Sequence, residues 1–267
     1  MELSDSFGRI HRDLRVSITD RCNFRCRYCM PEEGLDWTPS DDYLTFEEIT
    51  RLVGIFVNRY GFSSVRLTGG EPTLRPKLAE LVTSLKQFDI DLALTTNGSD
   101  LTKKAVAYKE AGLDRLNISL DSLDAETFAE LTNRSELDKV VDGIKAAKEA
   151  GFENIKLNAV VMRGVNSQEV VDFVKFGREQ NLIVRFIEFM PLEAHGVWDE
   201  SAVYSAAEII SDVSAEFEFE KVESGSSPSQ RFVFKDGVGE FGIIPSVTDK
   251  FCSTCDRVRL TLSLIHI

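Results

Sequence analysis

The chain has 267 residues, 43% of them hydrophobic, enough to bury a large core as one α/β barrel or as two smaller domains. A net charge of -13 argues against a general nucleic-acid surface, and an anionic small substrate would need arginines and lysines gathered locally. No apolar run approaches bilayer length and no charged-then-apolar leader is present, so a cytoplasmic protein with no membrane or nucleic-acid partner is expected.

Residues 1–13 form a polar lead-in, with Phe7 and Ile10 as candidate anchors. Leu14 to Ile18 alternates like a strand, predicted over 14–19, and runs into Cys22, Cys26 and Cys29, spaced C-x3-C-x2-C. Three thiolates can hold three corners of a four-iron, four-sulfur cube and leave the fourth iron open to a small molecule. A disulfide reading wants an even count and an oxidising compartment, and structural zinc wants a fourth ligand from afar. The acidic stretch Glu32 to Asp42 reads as a surface connection.

Thr45 opens a helix, with Glu48 three residues on as its capping-box partner and Gly61 as its stop. The phrase Lys-Glu-Ala-Gly occurs at 109–112 and again at 148–151, each time before a β-rich run, and marks helix-to-strand joints. Strands are predicted at 14–19, 64–68, 91–95, 115–120, 154–161 and 183–189, and helices at 45–60, 76–88, 101–111, 137–150 and 167–180. Six βα units predict a parallel sheet, as an open doubly wound sheet or as a barrel; periodicity does not choose.

Beyond residue 190 the pattern changes to a loop over 191–200, a helix over 202–217 and a Gly/Ser/Pro connection over 223–229. Two short strands follow, 231–234 and 240–244, joined by Asp236-Gly237 turn chemistry. This reads as a small appended region covering the barrel. It ends in a second pair of thiols, Cys252 and Cys255, which alone would suit zinc, a redox dithiol or half of a cluster.

Other residues stand out by their setting. Gly69-Gly70 follows a predicted strand, where missing side chains let backbone approach a ligand closely. Arg15, Arg66 and Lys156 each sit between apolar neighbours in strands facing the barrel's expected interior. His11 and His195 are isolated, and neither a nucleophile elbow nor a phosphate-binding G-x4-G-K motif is present.

The run RDLRVSITDRCNFRCRYCMP resembles the radical S-adenosylmethionine (SAM) enzymes and is very close to the GTP 3′,8-cyclase (MoaA) family of molybdenum-cofactor biosynthesis. The likeness continues in order through LTGGEP, LTTNG, RLNISLD, RFIEFMP and FCSTCDRVRLT. It implies an incomplete parallel (βα)6 barrel over 1–190 with a C-terminal α+β region over 191–261. It further implies SAM contacts at Tyr28, Gly70, Ser119 and Met190, and GTP contacts at Arg15, Arg66, Thr95, Lys156, Arg257 and Arg259.

By the same resemblance, a [4Fe-4S] cluster on Cys22, Cys26 and Cys29 cleaves SAM, and the radical formed takes hydrogen from the ribose C3′ of GTP, after which C3′ attacks C8. Electrons would come from a reductase or flavodoxin-type protein. The product would pass to cyclic pyranopterin monophosphate synthase, and a homodimer is compatible. Cys252 and Cys255 would hold a second [4Fe-4S] cluster with a later third cysteine, which this sequence lacks. Residues 262–267 match what a sequencing-library transposon end encodes, so a truncated gene with an adapter-derived tail is expected, and His266 falls in that tail. The alternatives are another radical SAM enzyme with an auxiliary cluster, such as a peptide modifier, or a zinc-stabilised binding module. Arg257 and Arg259 favour the cyclase over the first, and Gly69-Gly70 disfavours the second.

Overall fold

The computed structural model describes residues 2–30, 36–191, 198–225 and 227–262. His195, His266 and the tail after Leu262 lie outside the described residues, as do parts of the expected connections at 32–42, 191–200 and 223–229.

Six strands, β1 (Asp13–Ser17), β2 (Ser64–Thr68), β3 (Asp91–Thr96), β4 (Arg115–Ser119), β5 (Lys156–Val161) and β6 (Ile183–Glu188), pair side by side in chain order, all parallel. Parallel neighbours need crossovers, and the helices α1 (Phe46–Tyr60), α2 (Leu78–Leu85), α3 (Leu101–Glu110), α5 (Leu137–Glu149) and α6 (Val170–Gln180) supply them. In β1, β2 and β5 the burial alternates strictly. Leu14, Val16, Val65, Leu67 and Leu157 are fully buried in the main core, while Arg15, Arg66 and Lys156 occupy the other face, that of the barrel lumen.

The helix ends follow from side-chain chemistry. Thr45 and Glu48 exchange the expected capping-box bonds, at 3.2 Å and 2.8 Å, and Gly61 closes α1 at a φ of 71°. The helix expected from 202 is α7 (Ala206–Glu216), because Ser205 and Glu208 form a second capping box there. α4 (Ala125–Thr132) was not expected; Asp124 caps it by accepting from Thr127 N, and Phe128 and Leu131 bury its inner face.

The C-terminal region extends the barrel sheet itself. The remaining strands are β7 (Phe219–Val222), β8 (Gln230–Phe234), β9 (Glu240–Ile244) and β10 (Arg257–Leu260), and the full order is β10-β1-β2-β3-β4-β5-β6-β9-β8-β7. β9 joins β6 in parallel and β10 joins β1 in parallel, so both edges of the six-stranded half-barrel are covered by strand addition. β7 and β10 are the two strands absent from the expected set. The Asp236-Gly237 turn is where it was expected, with Gly237 at a φ of 78°.

Candidate functional site

The cysteine loop leaves β1 and is pinned before any metal is considered. Arg25 N and Arg27 N donate to Thr132 O and Leu131 O at the end of α4, at 2.9 Å and 3.0 Å. Arg134 Nε donates to Asn23 O, and Phe24 is buried edge-on against Phe128. A tight turn in which Cys29 N and Met30 N both donate to Cys26 O brings the last two cysteines close in sequence onto one bend. Cys22 and Cys26 are half-buried and Cys29 is exposed, all three as free thiols. Burial, and then the nearby Asp121 carboxylate, push the Cys26 and Cys29 thiols up; burial does the same to Cys22. Among the described residues no three His, Cys, Asp or Glu side chains converge on a single metal ion. A cube places each thiolate on a different iron and does not ask for such convergence.

The two glycines after β2 hold this loop. A Cβ on Gly70 would lie 2.3 Å from Asp20 O and 2.5 Å from Arg21 O, and one on Gly69 would lie 2.1 Å from Thr19 O. The two backbones are joined by Gly70 N to Thr19 O at 2.8 Å and Glu71 N to Arg21 O at 2.7 Å. The backbone these glycines admit is therefore the chain's own, the segment entering the cysteine loop. Glu71 is fully buried beside them. It accepts from Thr73 N and Oγ1, Thr96 Oγ1 and Asn97 N; burial still pushes its carboxyl up, and these four donors oppose that push. Asn97 Nδ2 then donates to Asn23 Oδ1 at 2.8 Å, which ties this knot to the loop.

Tyr28, Ser119 and Met190 reach the loop's other side. The Tyr28 hydroxyl donates to Asp121 Oδ2 at 2.6 Å, two residues beyond Ser119, and Val160 N donates to the other carboxylate oxygen at 2.8 Å. Burial lifts Asp121 to about 6 even so. The Tyr28 ring meets Phe189 edge-on, with centroids 6.4 Å apart, immediately before Met190. Of the expected SAM contacts, Gly70 lies against the loop's entry and Tyr28 within the loop, while Ser119 and Met190 stand two residues and one residue in sequence from the Asp121 and Phe189 side chains that meet Tyr28.

The strand register lines most of the expected nucleotide residues up on one face of the sheet, with Arg259 exposed at its β10 end. The register places Arg259, Arg15 and Arg66 side by side across β10, β1 and β2, and Thr95, Asn117 and Lys156 side by side across β3, β4 and β5. Burial pulls Arg15 down to about 9, helped by Arg257, Arg66 and Arg259, against Asp13. Burial likewise lowers Lys156 to about 8 and Arg185 to about 9, each crowded further by neighbouring arginines. Among the described residues no ion pair joins Arg15, Arg66, Lys156 or Arg185, and the buried Nε atoms of Arg15 and Arg66 have no hydrogen-bond partner. A cavity of about 290 Å³ opens beside Lys156, Arg185 and Arg115. A larger open groove, about 970 Å³, lies outside the barrel on α1, α2 and Phe88, away from the strand ends and the lumen cations.

Cys252 and Cys255 occupy a short 3-10 turn just before β10. Arg9 donates to Cys252 O, Arg12 N and Asp13 N donate to Asp256 O, and Gly8 makes the turn that carries Arg9 back to Asp5. From the barrel side, Glu188 at the end of β6 is fully buried and accepts from Ala206 N, Val247 N, Thr248 N and Thr248 Oγ1 at 2.5–2.8 Å. The thiol pair is thus framed, but among the described residues no third metal-binding side chain joins it.

Comparison with known proteins agrees with this arrangement. The Radical SAM superfamily model matches residues 16–177, and the Molybdenum Cofactor Synthesis C model matches 182–263. GTP 3′,8-cyclase of Streptomyces coelicolor is 45% identical over 264 residues, covering 97% of this chain and 77% of that protein. The enzyme of the same name from Rhodopirellula baltica is 46% identical, covering 97% of this chain and 74% of that one. The chain belongs to the GTP 3′,8-cyclase family of radical SAM enzymes. Among solved structures, Streptococcus suis SuiB bound to S-adenosylmethionine superposes with a TM-score of 0.68 at 17% identity, over 98% of this chain. This chain spans 61% of the length of that one, and the likeness is one of fold.

A radical SAM fold implies SAM and a [4Fe-4S] cluster, and the first site fits them: three free thiols on a loop fixed from both sides, with one of the thiols exposed. At the second site Cys252 and Cys255 stand as free thiols, and among the described residues no third cysteine lies beside them. Four residues of the hydrogen-bond framework around the loop and lumen were not singled out in the sequence reading: Glu71, Asn97, Arg185 and Asn117. Arg185 carried the same signal as Arg15, a cation flanked by Val184 and Phe186 in a core strand. Asn117 likewise sits between Leu116 and Ile118.

Proposed function

We propose that the chain converts GTP to (8S)-3′,8-cyclo-7,8-dihydroguanosine 5′-triphosphate, the first committed chemistry of molybdenum-cofactor assembly. The observation that carries this reading is the set of lumen cations Arg15, Arg66, Lys156 and Arg185, which form no ion pair among the described residues, in a chain of net charge -13. Like charges buried together cost free energy, and a polyanion is the partner that repays it. Arg15, Arg66, Lys156, Arg257 and Arg259 bind the triphosphate, with planar guanidinium forks matched to phosphate oxygens. Thr95, on the same lumen face one strand over from Asn117, is assigned to the nucleoside end. Cys22, Cys26 and Cys29 hold the cluster, and Tyr28, Gly70, Ser119 and Met190 hold SAM at the lumen mouth. Bound there, the cluster and SAM supply one-electron, hydrogen-abstracting chemistry. The protein's share is to fix the ribose against SAM and to keep the lumen dry.

We assign the enzyme to the cytoplasm, its electrons to a reductase or flavodoxin-type donor, and its product to cyclic pyranopterin monophosphate synthase. Among the described residues no helix is long and apolar enough to cross a membrane. The test is 5′-deoxyadenosine release by the anaerobically reconstituted protein under a strong reductant. Release that depends on GTP, with a cyclised GTP product, is expected; release unaffected by GTP would point to another substrate, such as a peptide.

Lys156 gives the reading a pH signature. It is charged below about 8 in the free protein and neutral above, so GTP affinity is expected to fall as pH rises through 8. The limiting slope is about tenfold per pH unit. Lys156→Arg should flatten the profile between pH 7 and 9 in a calorimetric titration, and an unchanged slope would remove Lys156 from the phosphate site.

A further inference from the structure

Arg185 is the most deeply buried cation of the lumen, 8% exposed, and among the described residues no carboxylate pairs with it. Its Nε donates to Asn158 Oδ1 at 2.9 Å and its Nη2 to Asn117 Oδ1 at 2.7 Å. A guanidinium only donates, so each amide must turn its oxygen toward Arg185 and its Nδ2 away. Asn117 is fully buried, and its Nδ2 has no partner among the described residues. The register sets Asn117 between Thr95 and Lys156, and Asn158 between Ser119 and Arg185, so both amides belong to the lumen face.

A buried arginine is ordinarily balanced by an acid, and even the half-buried Arg115, two strands away, has Asp91 as its partner. Two neutral amides fix the plane of the Arg185 fork just as firmly while adding no negative charge. Of its five N–H groups, two are spent on the amides, which leaves about three for another acceptor. We propose that Asn117 and Asn158 are positioning residues that aim an uncompensated Arg185 at the substrate's phosphates, and that their neutrality makes the lumen favour a polyanion over the uncharged nucleoside. Asn117 Nδ2 adds one further donor on the same face. This inference rests on the GTP reading given above.

The test uses Asn117→Asp and Asn158→Asp, which keep the side-chain shape but place an acid against Arg185. Binding of GTP, guanosine and inorganic tripolyphosphate to the reconstituted holoenzyme is measured by calorimetry. Each variant should bind GTP and tripolyphosphate at least tenfold more weakly, with guanosine affinity and iron content at the wild-type level. Equal GTP affinity in variants and wild type would overturn the proposal, and so would a parallel loss of guanosine binding, which marks a merely structural role. Should Asn117→Asp fail to fold, the half-buried Asn158→Asp carries the same comparison. A wild-type protein that binds neither GTP nor tripolyphosphate would instead defeat the GTP reading, and this inference with it.

Discussion

Cys26→Ser is expected to lower SAM cleavage below detection while leaving the fold in place. The loop around Cys26 is fixed by backbone bonds that serine preserves: Cys26 O still accepts from Cys29 N and Met30 N, and Arg25 N and Arg27 N still reach the end of α4. What is lost is the thiolate. A serine hydroxyl stays protonated at neutral pH and is a poor iron ligand, so one corner of the cube loses its anchor. Iron and acid-labile sulfide should fall well below the wild-type content, and 5′-deoxyadenosine formation by about a thousandfold or more. GTP binding, which we assign to the lumen cations, should change by less than about threefold. Wild-type iron content together with wild-type cleavage would remove Cys26 from the ligand set.

The cysteine loop was legible in the sequence because metal-ligand spacing is local: three thiols within eight residues need no knowledge of the fold. The six barrel strands and most helices were legible too, since alternation and capping residues such as Thr45 and Glu48 act over a few positions. What could not be read is what depends on strand neighbours. Arg259 lies beside Arg15 because β10 pairs with β1 across more than 240 residues, and nothing in RVRL announces that pairing. For the same reason Asp13 meets Arg257 at 3.6 Å, and Glu71 meets Asn97, only once β1, β2 and β3 are laid side by side. Gly69-Gly70 shows the converse. The sequence signals close approach, but the partner turns out to be the backbone of Thr19, Asp20 and Arg21. α4 was missed although Asp124 and Thr127 mark its start, because the single helix expected at 137–150 already supplied a crossover between β4 and β5.

Arg15→Met should weaken GTP binding and at the same time stabilise the nucleotide-free protein. Burial and the neighbouring Arg257, Arg66 and Arg259 hold Arg15 down to about 9, below its ordinary value. For a base with a depressed folded-state pKa, the penalty is fully present at any pH below that folded value, so at neutral pH the charge on Arg15 costs the empty fold stability. Methionine keeps the aliphatic length and removes the charge. Each kcal/mol so recovered would raise Tm by roughly 2–4 °C in a chain of this size. Loss of charge-assisted bonds to phosphate, about 1.5–3 kcal/mol, should weaken GTP binding by about 10- to 100-fold. Arg115→Met should not stabilise the fold, because Arg115 is already paired with Asp91 and its removal forfeits a part-exposed ion pair worth up to about 1 kcal/mol. Melting curves of the two variants with and without GTP separate the cases. A lower Tm for empty Arg15→Met would mean that Arg15 serves the fold, and the lumen cluster would lose its reading as a site held in strain for a polyanion.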